Sequence, residues 1–503
     1  MMPSLNATDS LSCGLALLVM IPLLGAPLTL GYASRRQYLA PLFSGLVLAV
    51  AVFIVAAVQA NPGLNGFGTA CPLRPGWEAD IGIAGSGILF VLTTALLIFL
   101  LSLREGGETG QYPSGGFSAL LGLEALLMAL FTTSNLLYFT GLASLVWIGL
   151  GYLPEIRLTG QPTPPAARLF RHFMLSSLML LWIATVLLGL HHARLSGIWS
   201  WELADLAKTP LSATWQKFVF LLLFYAAAIP LAQFPLHTWL PELTRQPGIS
   251  GLVILVTGAK AGLYLLLGFV LPLLPDAVEH FRHLVAGLGV AGIFYGIAQA
   301  FMQIRLHRRL AFVLVSQTGM LLVGLFSLNA DGFSGSLLLS FDFSLAAAGL
   351  FLTADSLLRR TGTLSIRRLG GLFDSMPLLA ITFLLAVLGT LALPATPGFD
   401  AAHRLLKAIL ETQGWGMAIA VATGNVLSVA LLLYAFHKIF LSRKPEKVLR
   451  LTRDQARWPE TLRSGLICLL LLGAGFYAEP WTHLLHATTS HLTCLYRPQA
   501  FEP

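Results

Sequence analysis

Apolar residues in this chain come in blocks of about 18 or more, the length that carries a helix across the hydrocarbon core of a bilayer, with short polar stretches between them. In order, the blocks lie at 13–32, 41–59, 81–103, 117–133, 135–153, 170–190, 215–235, 249–273, 284–303, 309–328, 333–357, 375–395 continuing brokenly to 412, 416–441 and 464–484. They predict about fourteen membrane-spanning helices. Phe234 to Pro241, F-P-L-H-T-W-L-P, closes one block just after Pro230, and Ala392 to Asp400, A-L-P-A-T-P-G-F-D, divides another. Each proline removes a backbone donor and disfavours helix at the residue before it, and backbone freed at membrane depth must line protein or water. Paired broken helices in two halves of a chain point to inverted repeats around a midplane pathway. The stretch holding His237 and Trp239 also fits a helix end with an interfacial aromatic anchor.

Charge fixes the expected orientation. Lys and Arg gather in the loops after odd-numbered blocks, among them Arg35 and Arg36, Arg168 and Arg171, Arg305, Arg308 and Arg309, Arg359, Arg360, Arg367 and Arg368, and Arg443 to Arg450. Loops after even-numbered blocks carry little beyond Arg74, Arg194, Lys208, Lys217 and Arg282. Cytoplasmic loops are the basic ones, so both termini are expected on the outer side. A missed span would scramble this alternation. The composition, 56% hydrophobic and 11% charged, lies far from soluble averages of roughly a quarter charged. The net charge of +8 is then a topology signal, with no nucleic-acid partner implied. No long polar linker divides residues 1–503, which read as a single all-α polytopic membrane domain. The N-terminal residues lack a signal-peptide pattern, so the first block reads as a retained span.

Ionisable residues inside apolar blocks are the candidates for chemistry, because they are costly there and normally face the bundle interior or water. Lys260 lies about a third of the way into the eighth block, in V-T-G-A-K-A-G-L-Y, and Glu124 lies mid-block in L-L-G-L-E-A-L-L-M as the natural partner to test for it. A lysine held away from water is a proton exchanger, or else one side of a structural ion pair or a lysine snorkelling to the interface. In the second half, His307, Asp342, Asp400, His403 and Lys407 bring ionisable groups to helix ends or interiors. Asp400, His403 and Lys407 follow at i, i+3 and i+7, one face of a helix just after the second break. Such a face relays protons, or else forms a partly solvated helix end. Gln317, Asn135 and Asn425 add polar groups able to hold water or to pack. The four cysteines, Cys13, Cys71, Cys468 and Cys494, show no metal or redox spacing. No nucleophile elbow, phosphate loop or metal cluster appears, so no catalytic residue, metal or cofactor is expected.

At F-P-L-H-T-W-L-P, then G-A-K-A-G-L-Y, G-I-F-Y-G-I-A-Q-A-F, L-V-S-Q-T-G-M, A-A-A-G-L-F and G-T-L-A-L-P, the chain resembles the antiporter-like membrane subunits of respiratory complex I, nearest the M-type. The similarity covers about residues 117–441. It implies fourteen helices with two inverted repeats, 117–273 and 284–441. It also implies a proton path in which Lys260 is the family's helix-eight lysine and His237 its motif histidine. The family's helix-five glutamate falls on Ser144 and its helix-seven lysine on Pro230, removing one ion pair together. Its Ser-His of helix ten falls on Ser316-Gln317, its His-Gly of helix eleven on Phe343-Ser344, and its helix-twelve glutamate on Ala402, with Asp342 and His403 beside the last two.

The resemblance therefore implies a membrane-arm subunit of a complex I-like NADH:quinone oxidoreductase in the bacterial cytoplasmic membrane, with a partly degenerate proton path. Its implied partners are other membrane subunits of the assembly, the lipid bilayer, and protons with sodium as the alternative ion. The alternatives are a non-pumping scaffold of such a complex, or a subunit of a cation/proton antiporter, a membrane-bound hydrogenase or an inorganic-carbon uptake complex.

Overall fold

The computed structural model describes residues 4–32, 35–60, 71–74, 77–79, 85–103, 116–157, 165–245, 250–392, 396–443, 458–476 and 479–496. Residues 393–395 of the second proline-rich stretch, and Arg104, Lys444, Lys447 and Arg450 among the loop cations, lie outside these. The first half comprises α1 (Ser4–Gly31), α2 (Arg36–Ala60), the hairpin strands β1 (Cys71–Arg74) and β2 (Trp77–Ala79), α3 (Gly85–Ser102), α4 (Gly116–Phe131), α5 (Leu136–Arg157), α6 (Pro165–Ser196), α7 (Leu203–Lys208) and α8 (Ala213–Ala228). Next come α9 (Trp239–Leu243), α10 (Ser250–Ala259), α11 (Ala261–Leu265), a π-turn (Leu266–Val270) and α12 (Leu271–Leu273). The second half holds α13 (Pro275–Met302), α14 (Leu306–Leu325), α15 (Ala330–Thr361), α16 (Pro377–Thr390), α17 (Pro397–Gln413), α18 (Trp415–Phe436) with a closing π-turn (His437–Leu441), α19 (Trp458–Phe476) and α20 (Glu479–Tyr496).

The protein is an integral membrane protein built of helices. Eight described helices are long and apolar enough to cross a membrane, and five shorter apolar helices accompany them. The apolar window of α15 is wholly buried, and those of α14 and of the interrupted segment from Val253 to Leu273 are nearly so, whereas α1, α2 and α18 bury only a third. The buried three form the axis of the bundle. Without water to drive helices together, close backbone approach at small residues holds such a bundle. At the α13–α14 crossing a Cβ on Gly319 would lie 2.4 Å from the Gly289 carbonyl oxygen, and one on Gly289 would lie 2.8 Å from that of Gly319.

Three expectations are corrected. The stretch around 60–80 contains the two-stranded β1–β2 hairpin. The block at 249–273 is not one continuous helix, because the chain leaves helical geometry at Lys260 itself. The block at 464–484 divides into α19, ending at Phe476, and α20, starting at Glu479. Stacking of Trp481 on Phe341 and contact of Tyr496 with Phe333 lay α20 along the first half of α15.

Candidate functional site

The first break lies between α8 and α9. Pro230 has no N–H, so the Ala226 carbonyl four residues earlier loses its helical donor. The Ser177 hydroxyl on α6 donates to that oxygen at 2.7 Å. The Ile229 carbonyl receives the Ala232 N–H at 3.0 Å and the Trp239 indole N–H at 2.9 Å. Trp239 is fully buried against Phe170. It therefore caps the break, and the alternative of an interfacial anchor falls. His237 is buried too, packed on Tyr295 at 4.9 Å and Phe234 at 5.8 Å, with its Nδ1 unbonded among the described residues.

The second interruption in this half is at Lys260, whose φ of 48° and ψ of 41° are left-handed. That geometry is uncommon for a residue with a Cβ and is worth attention wherever it occurs. A helix end leaves carbonyls without donors. Here the Lys260 ammonium folds back to the Thr257 carbonyl at 2.8 Å, and the Ser344 hydroxyl on α15 donates to the Gly258 carbonyl at 3.0 Å. Lys260 is 3% exposed and makes no ion pair among the described residues. Glu124 is not its partner. Both Glu124 oxygens are buried and unbonded, and α3 packs against both α4 and α10.

The third break separates α16 from α17. Its backbone repeats the first: Ala392 is left-handed like Ala232, and its N–H reaches the carbonyl three residues back, on Gly389, at 3.0 Å. Asp342, from mid-α15, points into this gap. A Cβ on Gly398, in the first turn of α17, would lie 2.3 Å from Asp342 Oδ2, and one on Gly389, at the end of α16, 3.8 Å from Oδ1. The carboxyl is completely buried with both oxygens unbonded among the described residues. Buried polar atoms of this kind take ordered water as partner.

A family model described as NADH:quinone oxidoreductase/Mrp antiporter, TM, matches residues 160–428, more than half of the 503. NADH-quinone oxidoreductase subunit 13 of Thermus thermophilus is 32% identical over 478 residues, covering 92% of this chain and 96% of that one. The chain belongs to this family of antiporter-like membrane subunits. It is of the M type: subunit M of Escherichia coli (strain K12) is 26% identical over 431 residues, covering 83% of each. Among solved structures, a chain of respiratory complex I from Thermus thermophilus with bound NADH superposes with a TM-score of 0.81 at 28% identity, covering 96% of this chain and all of that one. The Mrp complex from Dietzia sp. DQ12-45-1b shares the fold, with a TM-score of 0.80 at 19% identity.

The positions at which the resemblance implies charge hold neutral side chains here. Ser144 spends its hydroxyl on the Thr140 carbonyl at 2.8 Å and accepts the Trp182 indole at 3.0 Å, Pro230 shapes a turn, and Ala402 is packed. The structure keeps Asp400, His403 and Lys407 on one side of α17 but does not join them. Asp400 bonds Arg404 at 2.8 Å, Lys407 bonds Asp331 at 2.8 Å, and His403 is exposed. His307, at the start of α14, lies 3.8 Å from Asp355 of α15, a further carboxylate inside an apolar block, whose only signal in the sequence is that position. Gln317 is buried with an unbonded Oε1, while Asn135 caps α5 by accepting the N–H groups of Leu137 and Tyr138. No group of three or more metal-ligating side chains occurs among the described residues.

Proposed function

We propose that this chain is a membrane-arm subunit of a complex I-like NADH:quinone oxidoreductase and moves protons across the bacterial cytoplasmic membrane, driven by electron transfer in other subunits. The observation that carries this reading is the Asp342 carboxyl, buried beside the α16–α17 break and without a bonding partner among the described residues. An intramembrane acid kept without a partner is expensive and marks an ion path. Lys260 supplies the matching group at the break of the first half. The carriers have moved relative to the family pattern: the charge that Ala402 lacks on the broken helix is replaced from the facing helix α15. His237, Glu124, His307, Asp400, His403 and Lys407 complete the set, with protons rather than sodium as the ion.

The reading includes about fourteen spans in two inverted repeats, residues 117–273 and 284–441, with both termini outside. The likeness of the two breaks, Leu231-Ala232 and Leu391-Ala392, supports the repeat. It also includes neighbouring membrane subunits as partners. Between Gly398, level with mid-α15, and Lys407, level with Asp331 at its start, α17 presents Asp400, His403 and Arg404 at its surface. Charges at that depth do not face hydrocarbon, and a protein partner covers them.

The test is proton transfer per electron in the assembled complex in sealed vesicles. Lys260→Ala and Asp342→Asn are expected to assemble and to lose most of the coupled transfer. A second reading, a non-pumping scaffold, is favoured by the bonded Ser144 and the turn at Pro230. It prevails if both variants pump normally while deletion of the subunit breaks the complex.

A further inference from the structure

Two ionisable groups of the first half face one crevice without forming an ion pair. The crevice lies between α3, α4 and the α10–α11 break, and three rings close one end of it. Phe90 of α3, Phe131 of α4 and Tyr264 of α11 meet pairwise with centroids 5.4, 5.6 and 5.3 Å apart. The Tyr264 hydroxyl donates to the Thr133 carbonyl at 3.0 Å, which ties this closure to the α4–α5 turn. Further along α3, Leu97 fills the space where a Cβ on Gly258 would stand, and Leu101 lies 3.5 Å from where one on Gly251 would. Phe90, Thr94, Leu97 and Leu101 follow at i, i+4, i+7 and i+11, so the whole row faces α10 and α11. Thr94 falls between the residues that meet Tyr264 and Gly258, which sets it level with Lys260. Its Oγ1 is completely buried and has no hydrogen-bond partner among the described residues. On α4, Glu124 comes seven residues before Phe131 and shares the face that turns this ring into the crevice. Both its oxygens are likewise buried and unbonded among the described residues.

We propose that Glu124, Thr94 and Lys260 form one proton-exchange site across this crevice, with the Thr94 hydroxyl as the bridge between the two ionisable groups; this rests on the proton-moving function proposed above. The levels agree. At about 1.5 Å per residue, Glu124 stands roughly 10 Å from the ring closure, and Thr94 and Lys260 roughly 6 Å. The Lys260 side chain makes up the difference, because its ammonium folds back to the Thr257 carbonyl at 2.8 Å, away from the rings and toward the level of Glu124. That bond uses one of the three ammonium N–H groups. A lysine or a carboxylate charged by itself at this depth is costly, and the passage of one proton between them removes both charges together. In that step a Lys260 N–H bond breaks, a bridging water takes the proton and releases one of its own, and an O–H bond forms on Glu124. The ammonium becomes a neutral amine and the carboxylate a neutral acid, so the net charge of the site is unchanged. A hydroxyl both accepts and donates, which suits Thr94 to hold the bridging water on one side and the Glu124 oxygen on the other. The rings exclude water toward the α4–α5 turn, and the proton is held between the two groups.

The experiment uses the assembled complex in sealed vesicles and reads protons moved per electron, with electron transfer measured separately after an ionophore collapses the gradient. Glu124→Gln is expected to lose most proton movement, Thr94→Val to lower it several-fold, and Thr94→Ser, which keeps the hydroxyl, to pump normally. Thermal unfolding of the solubilised complex gives a readout apart from pumping. A hydroxyl that holds water is missed when it is removed, so Thr94→Val should unfold no later than the parent. A hydroxyl buried dry is a burden, and a raised midpoint in Thr94→Val overturns the bridge. Normal pumping in either Glu124→Gln or Thr94→Val, beside its loss in Lys260→Ala and Asp342→Asn, overturns the site and leaves the function standing. Normal pumping in all four removes the function as well. If Glu124→Gln is missing from the complex, the two Thr94 variants decide, with Thr94→Ala in place of Thr94→Val should that one fail to assemble. Failure of Thr94→Ser to restore what the others lose assigns the position to packing and overturns the proposal.

Discussion

At the scale of single residues, the most constrained position is Gly398, because any side chain there meets the Asp342 carboxyl: an added Cβ would lie 2.3 Å from Oδ2 and 3.0 Å from Cγ. Neither side yields cheaply, since Asp342 is completely buried and Gly398 belongs to the first turn of α17. Gly398→Ala is expected to displace the carboxyl from the break, at a stability cost of about 1–3 kcal/mol typical of overpacking. It should sharply lower proton transfer while the subunit stays in the complex; normal coupling with a normal melting temperature would show that the carboxyl does not work from this position. Lys260 was visible in the sequence as a charge in an apolar block, and so was Asp342. Their surroundings were not. Nothing in V-T-G-A-K-A-G indicates that Lys260 takes a left-handed backbone, and the glycine facing Asp342 lies 56 residues away in sequence, 398 less 342.

At the scale of elements, the two breaks of the first half survive because the carbonyls they free are found donors. Ser177 serves Ala226, Trp239 serves Ile229, Ser344 serves Gly258, and Lys260 serves Thr257. Broken helices at membrane depth are stable only on this condition. The proline pattern announced the first and third breaks, but the hydroxyls of Ser177 on α6 and Ser344 on α15, which serve the first break and the one at Lys260, belong to tertiary structure. Trp239→Phe keeps the apolar volume against Phe170 and removes only the indole donor. Because the Ala232 N–H still reaches the Ile229 carbonyl, the loss should be about 1 kcal/mol, the worth of one ordinary hydrogen bond. A thermal-unfolding comparison in detergent checks it, and an unchanged midpoint would mean that the α8–α9 break is held by packing alone.

For the whole molecule, hydropathy and the loop cations conveyed the bundle, while the strand pair near 71–79 is too short to show a period of its own and the division of the last block lies inside an apolar run that hydropathy reads as continuous, although Pro480 marks the start of α20. The amphipathic character of α17 was also legible, as the i, i+3, i+7 spacing of Asp400, His403 and Lys407. What spacing left open is which way that face points. In the structure it points outward, with Asp331 gathering Arg404 and Lys407 at 3.6 and 2.8 Å, and His403 exposed between the end of the bundle and the Asp342 gap. An imidazole and an Asp–Arg pair directed at lipid tails would cost several kcal/mol, and the proposed function therefore has another membrane subunit covering this face in the working assembly. A photo-activated cross-linker placed at His403 should therefore capture a membrane protein of the complex, whereas the same group at Phe53, on the outward face of α2, serves as the comparison. Lipid adducts alone at position 403, in a complex that pumps normally, would mean that α17 tolerates the bilayer and that the partner lies elsewhere.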